Sequence, residues 1–144
     1  MISKSLPGQA MLRMAPAVRA AIRAAAAAAW PAECCGALVG VADNAGGTKV
    51  ACALPASNEA EDTLHAFRMG PEAVRELEAA AAEQGAEVVG YYHSHPEGAG
   101  AAPSATDLEW ALPGLIYVIA GAEGHELRAW RLREDRSGFD ELTP

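Results

Sequence analysis

A chain of 144 residues has the length of one ordinary domain, and folding at that size buries roughly 68–70% of the unfolded surface, so stability needs no staple. Eleven Lys and Arg against nineteen Asp and Glu give a net charge of −8, which works against phosphate backbones and anionic bilayers and excludes nucleic acid and membrane as expected partners. The 51% apolar fraction is swollen by alanine and poor in aromatics, so the expected core is Leu, Val and Ile with close helix packing.

In chain order, residues 9–14 read as a short strand. Pro16 then stands where a helix begins, with Val18, Ile22 and Ala25 on one face, running to about Ala29. Its alanine run suits close packing on a sheet. It is too short and too weakly apolar to span a bilayer. Residues 35–41 and 49–54 are apolar runs separated by Asp43, Asn44, Ala45, Gly46 and Gly47, which makes them an antiparallel hairpin. After an irregular stretch, 57–63, residues 67–69 read as a short strand. Pro71 opens a second helix to about Gln84, which Gly85 closes. Residues 87–93 are a strand, 105–112 a short helix stopped by Pro113 and Gly114, 115–120 a buried strand and 126–132 a last one. The expected organisation is one domain over 1–144 with its core at about 9–133 and a tail at 134–144, frayed over 139–144. Strands alternate loosely with helices, which predicts an α/β mixed sheet with helices on its faces.

The three cysteines, Cys34, Cys35 and Cys52, are an odd number without a Cys-x-x-Cys spacing. A disulfide framework or thiolate zinc knuckle fits poorly, and a reducing, cytoplasmic setting is the expectation. Cys34 and Cys35 read as small buried hydrophobes. His65 and His125 stand alone in sequence and are assigned surface or structural roles, and Glu97 reads as an exposed acid.

The chemistry concentrates in Gly90-Tyr91-Tyr92-His93-Ser94-His95-Pro96. Side chains alternate along a strand, so His93 and His95 point to the same side, where two imidazoles suit one cation. Catalytic zinc commonly takes three protein ligands and leaves the fourth position to water. The pair alone is also what a polar strand end looks like. Further on, Ser104 and Asp107 have the spacing of a helix N-cap and its capping box, which by itself accounts for both residues.

Taken together, His93-Ser94-His95-Pro96 and Pro103-Ser104-Ala105-Thr106-Asp107 resemble the signature of the JAMM (MPN-plus, JAB domain) zinc metallopeptidases, in particular the stand-alone prokaryotic type. Upstream, Glu33 in Pro31-Ala32-Glu33-Cys34-Cys35-Gly36 looks like the family's Glu-x-x-Gly, and Asn58, before Phe67 and Pro71, is a further family-like feature. The resemblance covers roughly residues 11–131. One departure is that eleven residues separate His95 from Asp107, one more than is usual for the family. A flexible loop absorbs one residue at little entropic cost.

The resemblance implies an MPN, cytidine-deaminase-like fold: a curved mixed sheet in an α/β/α arrangement. It implies one zinc ion on His93, His95 and Asp107, with Glu33 as general base and Ser104 steadying the reacting oxygen. The implied activity is a zinc-dependent peptidase or isopeptidase acting near the C-terminal Gly-Gly tail of a ubiquitin-like sulfur-carrier protein. The alternatives are a non-catalytic MPN interaction module and a phage-tail or cell-wall-related peptidase. Other users of His-x-His fit worse. An amidohydrolase barrel needs a longer chain, zinc deaminases need His-x-Glu with a downstream Pro-Cys-x-x-Cys, and a cupin-like site needs an all-strand chain.

Overall fold

The computed structural model describes residues 12–43, 46–98, 100–122 and 126–143. Helix α1, Pro16–Ala29, begins on a proline whose missing N–H costs nothing in the first turn. It buries Val18, Ile22 and Ala26 at helical spacing. The other helices are α2, Pro71–Glu83, and α3, Ala105–Trp110. The strands are β1 (Leu12–Met14), β2 (Cys35–Ala42), β3 (Thr48–Ala56), β4 (Glu87–Ser94), β5 (Ile116–Ala120), β6 (Leu127–Leu132) and β7 (Phe139–Leu142).

All seven strands form one sheet in the order β1-β3-β2-β4-β5-β6-β7. It is mixed: β1 with β3 and β4 with β5 are parallel, and the other pairs are antiparallel. The sheet curls enough for Arg131 of β6 to donate to the Gly46 carbonyl and the Thr48 hydroxyl, at the far end of the β2–β3 hairpin. Tyr92 joins the core that contains Val18, Ile22 and Ala26 of α1, while its neighbour Tyr91 faces Glu78 of α2. Successive strand side chains point to opposite faces, so α1 and α2 cover opposite sides of the sheet. His93, two residues after Tyr91, leaves β4 on the α2 side.

Two sequence expectations need correction. Residues 139–142 are not frayed, because Phe139–Leu142 pairs with β6 in register. Leu142 is buried, and the pairing is reinforced by ion pairs from Arg128 to Glu141 and from Arg133 to Asp140. The sheet thus continues past the expected end of the core at 133. Residues 67–69 are not a strand; they belong to a non-repetitive loop that spends Phe67 on a ring contact. Of the strand expected at 9–14, residues 12–14 form β1, and 9–11 lie outside the described residues, as does His125. Among the described residues no helix is long and apolar enough to cross a membrane.

Close approach of the central strands depends on glycine. A β-carbon at Gly90 would lie 1.8 Å from the Ile116 carbonyl oxygen and 2.7 Å from its carbon, both backbone atoms of β5 that cannot swing away. Gly90→Ala is therefore expected to destabilise the fold by at least the ~1–3 kcal/mol typical of overpacking. The measurement is the urea unfolding midpoint; an unchanged midpoint would show that β4 and β5 tolerate wider spacing.

Candidate metal centre

The centre forms where two parallel strands end. After His93 and Ser94 close β4, the chain must leave the sheet and return to begin β5 beside it, because parallel neighbours need a crossover. That crossover carries the 95–104 loop and α3, so it brings Asp107 back over the strand end. Ser104 is the N-cap of α3: its Oγ accepts the Asp107 N–H at 3.1 Å, and its own N–H donates to Asp107 Oδ2 at 2.8 Å. The capping box is real, and it fixes the carboxylate that faces the histidines.

His93 Nε2 and His95 Nε2 lie 3.1 Å apart. Asp107 Oδ1 is 3.2 Å from His93 Nε2, and its Oδ2 is 3.3 Å from His95 Nε2. These three side chains form a group able to hold a metal ion. The geometry suits zinc: bonds of ~2.0–2.1 Å in tetrahedral coordination space the ligand atoms about 3.3 Å apart. The tautomer suits it too. His95 Nδ1 is 3.0 Å from the Gly100 carbonyl oxygen, which can only accept, so Nδ1 carries the hydrogen and Nε2 of the neutral ring keeps its lone pair for a cation.

Electrostatics within the group follow from burial and mutual contact. Burial pulls the fully enclosed His93 pKa down, against the bond from Asp107. At His95 burial pulls the same way, but Asp107 and the Gly100 carbonyl outweigh it and raise the pKa. Burial alone would raise Asp107, yet the two imidazoles and the Ser104 amide hold its carboxyl well below the ordinary range.

Glu33 comes from the turn between α1 and β2. Cys35 is the register partner of His93, which places Glu33 beside the strand end that carries the histidines. It is 8% exposed. Desolvation pushes its carboxyl up to about 7, with His95 pulling it down and Asp107 pushing it up. Its backbone is held on both sides: the N–H donates to the Thr63 carbonyl at 2.7 Å, and its carbonyl accepts from Asn58 Nδ2 at 3.1 Å.

Several supporting residues escaped the sequence reading. Ser94 alternates away from the two histidines, and its buried Oγ accepts the Cys34 N–H at 2.8 Å, tying the segment after Glu33 to β4. Strand alternation carried that signal. Phe67 stacks on His93 with centroids 4.4 Å apart, and Gly100 orients His95; both depend on loop paths that no periodicity reveals. His65, assigned a surface or structural role, bridges Asp62 and Glu97 at the surface. Cys34 and Cys35 are free and buried, and burial pushes the Cys35 thiol up to about 12, which suits inert packing groups.

Residues 15–133 match Prok-JAB, the prokaryotic homologs of the JAB domain. A desampylase of Haloferax volcanii is 39% identical over 117 residues, covering 78% of this chain and 81% of that protein. Among solved structures, a Salinibacter ruber protein is 39% identical with a TM-score of 0.72, covering 92% of this chain and 91% of its own. A Desulfitobacterium hafniense protein is 27% identical with a TM-score of 0.79, covering 91% and 89%. A JAB1/MPN domain protein of Archaeoglobus fulgidus, 21% identical with a TM-score of 0.55 over 91% and 94% of the two chains, shares the fold. A family match across most of the chain, on a curled mixed sheet shared with these structures, has one reading: the chain belongs to the Prok-JAB family.

Proposed function

We propose that the chain is a zinc-dependent peptidase or isopeptidase that hydrolyses an amide bond near the C-terminal Gly-Gly tail of a ubiquitin-like sulfur-carrier protein. The hydrolase class rests on family membership and on the likeness to the Haloferax volcanii desampylase, which also supports a ubiquitin-like protein conjugate as the class of substrate. The observation that carries the metal is the triangle of His93, His95 and Asp107, with edges of 3.1, 3.2 and 3.3 Å. Cys34, Cys35 and Cys52 are all free, which supports a reducing cytoplasm.

His93, His95 and Asp107 would hold the ion. Zinc, when bound, acidifies water toward ~7 and polarises a carbonyl. Glu33 accepts the proton of the attacking water and returns it to the leaving amine. Burial raises its carboxyl above the ordinary carboxylate range, toward the pH range in which one carboxyl can both take and give a proton. Ser104 Oγ already accepts from the Asp107 amide, so its hydroxyl hydrogen is free to donate to the developing oxyanion.

Asp107→Asn keeps an oxygen for the Ser104 amide while removing the charge. It is expected to retain helical content and to lose zinc affinity by at least the ~10–100-fold seen for outer-shell changes, read as metal content after dialysis; a full zinc complement in this variant would remove Asp107 from the ligand set. Glu33→Gln is expected to keep its zinc and lose about 10²- to 10⁴-fold in turnover, the range for a general acid–base group. Unchanged turnover would take Glu33 out of the chemistry. For the substrate, zinc-loaded protein incubated with sulfur carriers extended beyond Gly-Gly should shift their intact mass by the extension, and no shift with any cognate carrier would count against the assignment.

A further inference from the structure

The 57–70 loop between β3 and α2 reaches the centre in three ways. Asn58 Nδ2 donates to the Glu33 carbonyl, the Thr63 carbonyl accepts the Glu33 N–H, and Phe67 stacks on His93. The base of this loop is sewn together by Asn58, which also donates to the Ala66 carbonyl at 2.9 Å and accepts from the Ala60 and Arg68 amides. The tip is tied differently. Two residues after Thr63, His65 places Nδ1 2.7 Å from Asp62 Oδ2 and Nε2 2.8 Å from Glu97 Oε1. Glu97 lies two residues beyond His95, so this bridge joins the loop over Glu33 and His93 to the loop that leaves His95.

We propose that Asp62, His65 and Glu97 form a latch in which His65 is a positioning residue, holding the tip of the 57–70 loop so that Thr63 and Phe67 keep Glu33 and His93 in register. This inference rests on the hydrolase reading for its consequence, because proton transfer and ligand orientation are sensitive to displacements of a fraction of an ångström. The two carboxylates raise the affinity of His65 for its second proton, and the imidazolium alone can donate from both ring nitrogens. All three side chains are more than half exposed. An ion pair so placed adds little to global stability, and the effect of the latch is local order.

The test uses the full chain with zinc, comparing wild type with His65→Ala, Glu97→Ala and the double variant. Hydrogen exchange at the Glu33 amide reports on its bond to Thr63. Each single variant is expected to speed that exchange about two- to fivefold, the factor an exposed ion pair supports, with no further increase in the double variant because one contact is removed twice. Zinc content and Tm should stay at wild-type values, and kcat should fall by a similar factor with KM unchanged. Wild-type exchange at Glu33 in the variants, or a double variant equal to the product of the singles, would overturn the latch; faster exchange with unchanged kcat would overturn the positioning role. Should the wild-type protein cleave no offered carrier, the hydrolase reading fails by itself, and the exchange arm still decides whether the latch exists.

Discussion

The Asp107 carboxylate joins the two halves of the centre, and most of the surrounding structure depends on that junction. Oδ2 accepts the Ser104 amide at 2.8 Å and also lies 3.3 Å from His95, while Oδ1 lies 3.2 Å from His93. A short helix of six residues cannot rely on propensity for its stability. Its capping box both starts it and aims the acid. Placing a carboxylate and two imidazoles together at low exposure is costly unless each group has a partner. Here each of the three side chains faces the other two, and together they form a group that could hold a metal ion.

The topology supplies that point. β4 and β5 run parallel, so the chain between them has to cross over, and the crossover lies at the carboxyl end of β4, where α/β sheets commonly place their ligands. β2 runs antiparallel on the other side of β4, with Cys35 opposite His93. The turn that feeds β2 therefore lies at the same end of the sheet, and Glu33 is delivered beside the histidines without any long excursion. The Ser94 hydroxyl, bonded to the Cys34 amide, links these two strand ends directly. Burial of Glu33 then follows from its position under the 57–70 loop, and burial is what lifts its carboxyl to about 7.

Features governed by local rules were legible in the sequence. Pro16 and Pro71 mark the starts of α1 and α2, the turn formers mark the β2–β3 hairpin, and strand alternation puts His93 and His95 on one side. Asp107 shows why such reading stops short of function: the capping box explains the residue completely as local structure, and the same side chain faces both histidines. Contacts between distant segments were not legible. His65 and Glu97 are 32 positions apart, and neither carries a pattern that points to the other. β7 has four residues with two acids in its middle, a composition that reads as a solvated tail until Arg128 and Arg133 are seen to pair with it.

The loop after His95 has fixed points that hold His93, His95 and Asp107 together. Ala101 is fully buried, its amide donates to Glu126 Oε1 at 3.1 Å, and its carbonyl accepts the Trp130 indole N–H at 2.9 Å. These bonds pin the loop to β6 immediately before α3. One residue earlier, Gly100 adopts φ +75, a conformation that favours glycine, and turns its carbonyl onto His95 Nδ1. Everything from Gly100 to Asp107 is thus anchored to the sheet or capped onto α3. Upstream, Gly98 also takes a positive φ and Glu97 reaches His65. The loop therefore meets the 57–70 segment at Glu97, through His65, while His93, His95 and Asp107 stay converged.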